Sequence, residues 1–383
     1  MNGIGTGDGV FVGRANVPGF AYPRIVTLRQ NAIFDITAKS KATVRDIAES
    51  PSPAEYVRNA QGTIVGEIDT ILANSRAEKP NTDLPRLLSP VDLQAVKASG
   101  VTFVASLLER VIEEQALGDK SRAEALRQEV IALIGTDLSK IVPGSDEAMA
   151  LKQTLIGKGI WSQYLEVGIG PDAEIFTKSQ PMSSVGYGAD VGLHPISQWN
   201  NPEPEIALLI ASTGAIIGAT IANDVNLRDV EGRSALLLGK AKDNNASCAI
   251  GPFIRLFDAH FGIDDVRRIT VALEVTGPEG FKLEGSSSLS KISRDPLDLV
   301  SQAIGVHHDY PDGLMLFLGT MFAPTQDRHG PGQGFTHVVG DRVRIAAPEL
   351  GALVNRVVHS DQAPRWTFGL SALMRNLGGR GLL

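Results

Sequence analysis

Cysteine is nearly absent from the sequence: Cys248 is the single one among 383 residues, so no internal disulfide can form. This composition is typical of a reducing cytoplasm. No apolar run approaches the ~20 residues that a membrane-spanning helix needs. The N-terminal stretch MNGIGTGDGV has neither the basic start nor the apolar core of a secretory signal. These absences predict a cytoplasmic protein that does not associate with membranes.

The sequence also lacks an excess of positive charge: it has 36 Lys and Arg residues and 43 Asp and Glu residues, which gives a net charge of −7. Proteins that bind nucleic acid usually carry a basic surface, so no nucleic-acid partner is expected. Histidine does not occur before His194. The N-terminal half therefore has no imidazole with which to activate a water molecule.

The N-terminal half alternates between strand-like and helical patterns. Residues 10–50 contain short apolar runs separated by Gly, Pro and Asn, which indicates a small β-rich unit. Apolar residues on one helical face predict a helix over 54–73. The same pattern over 102–116 predicts an amphipathic helix within a helical region that continues to about residue 158. The charged, proline-bearing segment 75–90 is the linker candidate.

From residue 168 the sequence becomes rich in Gly, Val, Ile and Pro, and strand-like apolar runs dominate. The runs are 206–210, 216–221, 269–275, 314–318 and 338–345. This order of elements predicts an α+β protein with a mixed or antiparallel β core and helices around it. We expect two units, a small N-terminal domain over 1–78 and a larger catalytic domain over 79–383.

Acidic residues flank a predicted hairpin in the stretch NPEPEIALLIASTGAIIGATIANDVNLRD, residues 201–229. Glu203 and Glu205 are two apart, so on a strand their side chains point to the same face. A turn at Thr213-Gly214 places Asp224 on the returning strand opposite Glu203. Three carboxylates are thus predicted to converge at the open end of one hairpin.

Geometry alone leaves two interpretations of this cluster open. Like charges in close contact repel each other unless a cation lies between them, and oxygen ligands suit a hard ion such as Mg²⁺, Mn²⁺ or Ca²⁺. The alternative is a pair of solvated glutamates at a strand end beside a turn aspartate.

The same stretch resembles the signature of the fumarylacetoacetate hydrolase superfamily, in which an E-x-E strand precedes a strand ending in A-N-D-V-N-L-R-D. Further motifs follow over residues 165–358. They are PDAEIFTK (171–178), Ala241-Lys242, CAIGP (248–252), the strand-end FLGT (317–320) and GDRV (340–343). The resemblance implies a fumarylacetoacetate hydrolase-like mixed β-roll catalytic domain, a small N-terminal β-rich domain and a helical lid region. It also implies a homodimer or homotetramer.

Roles for individual residues follow from this resemblance. Glu203, Glu205 and Asp224 would bind one divalent ion, Mg²⁺ or alternatively Mn²⁺, that polarises the carbonyl of a small 2-oxo acid. Lys242 would neutralise an enolate, or move a proton if its pKa is lowered. Glu174 would hold a metal-bound water or act as an acid or base. The plain alternatives are a surface lysine and a solvated loop glutamate.

Substrate contacts are expected at the strand-end pair Gly319 and Thr320, and at Ser99 and Thr102 before the lid helix. Three glutamates of that helix are candidates for a second acid or base, and a serine run is a candidate for the polyol end of the substrate. These residues are Glu109, Glu113, Glu114 and Ser286–Ser288. The glutamates also fit a solvated helix face, and the serines also fit a flexible turn.

Three segments are similar to 2-keto-3-deoxy sugar-acid dehydratases: QAVKASGVTF (94–103), QPMSSVGYGADVGLHP (180–195) and LEGSSSLSKISRDPLDL (283–299). This similarity implies conversion of a 2-keto-3-deoxy pentonate, of the D-xylonate or L-arabinonate type, to 2,5-dioxopentanoate. The alternatives are an acylpyruvate-type C–C hydrolase and a catalytically silent metal- or carboxylate-binding homologue. The lack of histidine before His194 favours the dehydratase, since the namesake hydrolases activate water with a His–Glu pair from that region.

Overall fold

The structure is a computed structural model that describes residues 9–20, 22–123, 141–157, 159 and 161–382. It is an α+β fold, as predicted. The strands are β1 Phe11–Asn16, β2 Arg24–Arg29, β3 Ala32–Asp35, β4 Thr63–Glu67, β5 Arg86–Leu88, β6 Ala95–Ser99, β7 Ile175–Ser179, β8 Asp190–Leu193, β9 Asn200–Asn201, β10 Pro204–Ile210, β11 Ile216–Asp224, β12 Asn226–Leu227, β13 Cys248–Leu256, β14 Thr270–Thr276, β15 Lys282–Ser288, β16 Leu314–Phe317, β17 Arg342–Ala347 and β18 Gly351–His359.

Short helices connect these strands, and a longer group follows β6. They are α1 Val44–Ala48, α2 Pro53–Asn59, α3 Ile68–Arg76, α4 Val104–Gln115, α5 Asp146–Gly157, α6 Gln163–Ile169, α7 Arg228–Glu231, α8 Leu238–Lys242, α9 Ile263–Val266, α10 Pro296–Ala303 and α11 Leu370–Gly379, with 3₁₀ turns at Ala235–Leu237 and Leu289–Lys291. Parts of the predicted helical region, 124–140 and 158, lie outside the described residues. Among the helices that the structure describes, none is long and apolar enough to cross a membrane.

Two large sheets carry most of the strands. The first runs in the order β4-β3-β2-β1-β13-β11-β10-β16-β6-β7, with β5 paired to β1, and the second in the order β15-β14-β17-β18-β8. Most neighbours are antiparallel, whereas β16 pairs with β6 and β18 pairs with β8 in parallel. The predicted mixed β core is therefore confirmed. The short strands β9 and β12 pair with each other just beyond the open end of the β10–β11 hairpin.

The central strand β10 is apolar along its whole length because both of its faces are covered. Leu208 belongs to an apolar cluster that includes Ile345 of the second sheet, and the two sheets pack face to face. Leu209 points the opposite way, into a cluster that includes Val44 of α1 and Val57 of α2. Alternate residues of a strand face opposite sides, so burial of both sides explains the uninterrupted apolar run.

The N-terminal strands join the large sheet directly. β1 pairs with β2, and it also pairs with β13 from the second half of the chain, where Val12 lies opposite Ile254. The linker candidate 75–90 contributes β5, which pairs with β1, so its interpretation as a plain linker is wrong. The division of the chain at residue 78 stays a prediction.

The single helix predicted over 54–73 is also wrong, because the segment contains α2, the strand β4 and the start of α3. Residues 63–65 are Thr, Ile and Val, which favour extended backbone, and β4 pairs with β3. Gly66 has φ of +156°, a conformation that residues with side chains rarely adopt. Two short helices on either side of a strand produced the apolar spacing.

The helix predicted over 102–116 is confirmed as α4. Its residues Leu107, Val111 and Ile112 share an apolar cluster with Leu165 of α6. These two helices form a layer, called here the helical lid layer, that packs through its own apolar cluster. One side chain from α4, Arg110, reaches the open end of the β10–β11 hairpin.

Candidate functional site

The β10–β11 hairpin has the predicted register at its open end. Glu205 pairs with Ala222, and the backbone N–H of Asp224 donates to the carbonyl of Glu203 over 3.1 Å. Near the turn a bulge shifts the pairing by one residue. The backbone N–H of Ala211 donates to the carbonyl of Ala215, so the loop is one residue longer than predicted. Because the bulge offsets this difference, Asp224 lies opposite Glu203, as expected.

Three carboxylates meet at this point. Oxygen atoms of Glu203, Glu205 and Asp224 lie within 4.8 Å of one another, and all three residues are buried. The alternative of solvated strand-end glutamates is therefore wrong. Since isolated buried charge is costly, the surrounding groups decide what this cluster can do.

Two buried lysines neutralise part of this negative charge. Lys242 at the end of α8 places its Nζ 2.6 Å from Glu203 Oε2 and 3.1 Å from Asp224 Oδ2. Lys178 of β7 places its Nζ 2.7 Å from Asp224 Oδ1. Burial alone would lower the pKa of Lys242, but Asp224 and Glu203 outweigh burial and raise it. The expected lowered pKa is thus not found, and neither is the surface-lysine alternative.

Glu205 has no cation within salt-bridge distance in the part of the chain that the structure describes. Its Oε2 accepts a hydrogen bond from the backbone N–H of Gly319 over 2.8 Å, and its Oε1 accepts one from the hydroxyl of Thr320 over 3.2 Å. Burial, followed by repulsion from Asp224 and Glu203, raises the pKa of Glu205 well above its ordinary value. A divalent cation among these oxygens would relieve that repulsion.

The turn after β16 is built so that its N–H can reach Glu205. Gly319 has φ of +100°, and a Cβ there would lie 2.0 Å from Thr102 Oγ1. The Thr102 hydroxyl donates to the carbonyl of Leu318 over 2.6 Å. Gly319 and Thr102, both predicted to bind substrate, therefore shape the turn and do not line the cavity beside the carboxylates, whereas Thr320 lines it.

This cavity lies between the carboxylate cluster and the helical lid layer. Besides Glu203 and Asp224, its wall brings together four further predicted site residues, Ser99, Glu174, Lys242 and Thr320. The Ser99 hydroxyl is buried and has no hydrogen-bond partner among the described residues. A polar ligand in the cavity would satisfy this group.

Glu174 precedes β7, is half-buried and lines the cavity. A Cβ at Gly100 would lie 1.7 Å from Glu174 Oε2, so the close approach requires glycine there. Burial, followed by repulsion from Glu231, raises the pKa of Glu174 to about 7, although Lys242 and Arg110 oppose the shift. A carboxyl group with a pKa near neutrality suits proton transfer at physiological pH.

Arg110 of α4 is the main site residue that sequence reasoning missed. Its guanidinium contacts Glu203, lies 2.6 Å from Glu113 Oε2 and lies 3.4 Å from Glu231 Oε2. Ser106, Arg110 and Glu113 are spaced so that they share one face of the helix. This polar stripe beside the apolar face of α4 was the sequence signal that could have identified Arg110 as a site residue.

Two further residues carried no predicted role. Glu231 ends α7, is 4% exposed and lines the cavity. Lys178 lies in the PDAEIFTK segment and is fully buried. Sequence spacing does not connect either residue with the hairpin, because the contacts depend on how separate segments pack.

The other predicted candidates lie outside the cavity wall. Arg228 binds Glu109 at 2.8 Å and Glu113 at 2.5 Å, so the solvated-face alternative is wrong for Glu113, which is buried. Glu114 is half-buried and does not line the cavity. Ser286–Ser288 belong to β15 and pair with β14, so they form neither a flexible turn nor a part of this cavity.

The chain is similar in sequence to a known protein family and to two curated enzymes, and similar in fold to solved structures. Residues 166–358, half of the chain, match the family described as fumarylacetoacetate (FAA) hydrolase C-terminal. The 2-dehydro-3-deoxy-D-arabinonate dehydratase of Saccharolobus solfataricus is 30% identical over 203 residues, which are 53% of this chain and 63% of that protein. A probable 2-keto-3-deoxyxylonate dehydratase of Haloferax volcanii is 28% identical over 194 residues, 51% of this chain and 63% of that protein.

The match therefore spans less than two thirds of the length of either relative. Among solved structures, 2-keto-3-deoxy-D-arabinonate dehydratase complexed with magnesium and 2,5-dioxopentanoate aligns over 91% of this chain and 99% of that chain. Its TM-score is 0.61 and its sequence identity is 21%, a level at which the likeness shows the shared fold. From the matched segment, which contains the three converging carboxylates, we conclude that the chain belongs to the fumarylacetoacetate hydrolase family.

Proposed function

We propose that the protein is a magnesium-dependent hydro-lyase that converts a 2-keto-3-deoxy pentonate to 2,5-dioxopentanoate in pentose catabolism. The observation that carries the proposal is the buried cluster of Glu203, Glu205 and Asp224. Two of its members, Glu203 and Asp224, line a cavity whose wall also includes Lys242 and Glu174. The two relatives are named as dehydratases of this substrate class, and the solved dehydratase is named as a complex with magnesium and the dioxo product.

The donor set fits a hard divalent cation. Glu203, Glu205 and Asp224 offer carboxylate oxygens, which Mg²⁺ prefers, and Mn²⁺ accepts the same ligands. Glu205 lies buried between like charges without a cation beside it in the described chain. A cation bound here would supply the missing positive charge.

The residues around the cluster have separate tasks. When bound, the cation would polarise the C2 carbonyl of the substrate and make a C3 proton easier to remove. Glu174 accepts that proton in its carboxylate form. Lys242, held as a cation by two carboxylates, offsets negative charge that develops on the 2-oxo group. The hydroxyls of Ser99 and Thr320 bind substrate oxygen atoms.

Substrate entry requires movement of the helical lid layer. The cavity holds about 10 Å³, which is room for roughly one water molecule. Arg110 extends from α4 into the cavity wall and contacts Glu203. A pentonate therefore reaches the carboxylate cluster only after Arg110 has withdrawn from Glu203, alone or together with α4.

A direct assay separates the three candidate functions. The protein with Mg²⁺ is offered both enantiomers of the 2-keto-3-deoxy pentonate and an acylpyruvate. The D-arabinonate and D-xylonate forms are one compound, because C4 is the only stereocentre left, and the L-arabinonate form is its mirror image. Formation of 2,5-dioxopentanoate supports the proposal. Cleavage of the acylpyruvate alone would indicate the C–C hydrolase, and binding without turnover would indicate the silent homologue.

A variant pair ties the activity to the carboxylate cluster. Glu203→Ala is expected to abolish both magnesium binding and turnover. Glu349→Ala removes a half-buried carboxylate in the turn between β17 and β18 and is expected to leave both unchanged. If Glu203→Ala retains metal binding and turnover, the proposal is wrong. The oligomeric state and the cytoplasmic location stay predictions.

A further inference from the structure

Loss of water from the proposed substrate needs two proton transfers. One group removes a proton from C3, and another protonates the hydroxyl that leaves C4. Glu174 is placed for the first task, which leaves the proton donor for C4 to be identified. This inference rests on the proposed function, because it concerns the same reaction.

The donor predicted from the sequence was a glutamate of the lid helix, and the structure makes those glutamates unsuitable. Glu109 and Glu113 are bound by Arg228, and Glu113 is also bound by Arg110. Glu114 lies outside the cavity wall. Carboxylates whose oxygens are occupied by close, hydrogen-bonded ion pairs, and groups that cannot touch the substrate, are poor proton donors to it.

Glu231 has the placement that the lid glutamates lack. It is 4% exposed and faces the same cavity as Glu174. Its Oε2 forms no hydrogen bond within the described part of the chain. The nearest cation is Arg110, at 3.4 Å. A buried carboxyl oxygen that accepts no hydrogen bond and faces a cavity is available to bind a ligand hydroxyl.

The remaining groups on the cavity wall are weaker candidates. Lys242 is held by Glu203 and Asp224, so giving up its proton would leave two buried carboxylates without their shared cation. Serine and threonine hydroxyls are far less acidic than a carboxyl group. Burial keeps the pKa of Glu231 above its ordinary value; Arg110 and Lys242 oppose this shift, and weaker repulsion from Glu203 and Glu113 adds to it.

We propose that Glu231 is the proton donor to the C4 hydroxyl and that it forms an acid–base pair with Glu174. The C3–H bond breaks and its proton goes to the Glu174 carboxylate. The electron pair forms the C3–C4 double bond as the C4–O bond breaks, and the hydroxyl leaves as water with the proton of Glu231. Arg110 stabilises the carboxylate that Glu231 becomes.

The same pair then completes the reaction without a further reagent. The unsaturated product still carries a hydroxyl on C5. The Glu231 carboxylate removes a proton from C5, and Glu174 returns its proton to C3, which moves the double bond to C4–C5. Both groups recover their starting protonation states, and the enol becomes the C5 aldehyde by tautomerisation. Proton donor and acceptor therefore exchange tasks between the two halves of the reaction.

Fluoride as a leaving group isolates the task of Glu231, because fluoride departs without a proton. The test compares the pentonate with its 4-deoxy-4-fluoro analogue. For Glu231→Gln, kcat/KM for the pentonate is expected to fall at least 100-fold, in line with the roughly 10²–10⁴-fold contribution of acid–base catalysis. For the analogue, fluoride release is expected to stay within about threefold of wild type. Glu174→Gln is expected to lose both reactions, since both need the C3 proton removed.

Controls distinguish a failed inference from a failed function. Glu349→Gln changes a half-buried glutamate, outside the cavity, whose Oε2 also lacks a hydrogen bond among the described residues, and it should behave as wild type. Glu231→Asp keeps a carboxyl group and should recover part of the pentonate activity. If Glu231→Gln slows both substrates equally, or neither, the donor assignment is overturned. If the wild type turns over neither substrate, the proposed function itself fails.

Discussion

Replacing Glu205 by glutamine should separate metal binding from folding. The Glu205 carboxylate is buried, accepts hydrogen bonds from Gly319 and Thr320, and has no cation within salt-bridge distance in the described chain. A glutamine has the same size: its oxygen accepts from the Gly319 N–H, and its amide donates to the Thr320 hydroxyl. Because the variant removes a buried charge beside Asp224, we expect the metal-free protein to be at least as stable as wild type.

The magnesium effect on wild type is expected to be measurable. A ligand that binds only the folded protein stabilises it by about 2.7 kcal/mol at 100 times its Kd. An unfolding entropy of about 2.1 cal/mol/K per residue gives about 0.8 kcal/mol/K for 383 residues. The melting temperature of wild type should therefore rise by about 3 °C, whereas Glu205→Gln should show little or no rise.

Calorimetric melting of both proteins, in EDTA and across a magnesium titration, measures the two effects. The matched control Glu349→Gln, which changes a glutamate remote from the cluster, should keep the full shift. The reasoning is refuted if Glu205→Gln keeps the magnesium shift. It is also refuted if the metal-free variant melts far below wild type, because the buried charge would then be stabilising.

Three further predictions test groups around the site and beyond it. Lys178→Met removes a fully buried cation whose Nζ lies 2.7 Å from Asp224 Oδ1, so the free energy of unfolding measured in urea should fall by about 3–5 kcal/mol. Lys282 is exposed, and Lys282→Met should lower the same free energy by less than about 0.5 kcal/mol. Equal losses in the two variants would show that the buried ion pair does not stabilise the fold. Gly319→Ala places a Cβ 2.0 Å from Thr102 Oγ1 at a φ of +100°. The free energy of unfolding in urea is expected to fall by about 1–3 kcal/mol. An unchanged unfolding midpoint would show that this turn tolerates a side chain. Burial lowers the pKa of His337 in the folded protein, although the neighbouring Asp341 carboxylate opposes the shift. Below about pH 6.5 the unfolded chain therefore binds a proton that the folded protein does not. The free energy of unfolding of wild type relative to His337→Gln should fall as the pH drops through this range, and a constant difference would contradict the prediction.

The hairpin could be predicted because its constraints are local. Glu203 and Glu205 share a face through the two-residue period of a strand, and the short turn fixes which residues oppose them. Asp224 follows from that register. The bulge near the turn was not visible in the sequence, and the prediction held because the bulge offset the error in the turn.

The segment over 54–73 shows where local pattern misleads. Its apolar residues fit one helical face, yet β4 interrupts the helix because its backbone pairs with β3. Pairing with a strand more than 25 residues away in sequence supplies hydrogen bonds that the local pattern does not register. Gly66, whose backbone favours a break, was the local sign of this outcome.

The sequence alone determined the α+β character, the hairpin with its converging carboxylates and the family, because each depends on short-range periodicity or on motifs within one segment. Tertiary structure alone decided which charges surround that hairpin. Arg110, Glu174, Glu231 and Lys178 come from elements far apart in the chain and meet only when the lid helices and β7 pack over the open end of β10 and β11. Contacts between distant segments depend on packing of the whole fold, and no spacing within a single chain segment encodes them.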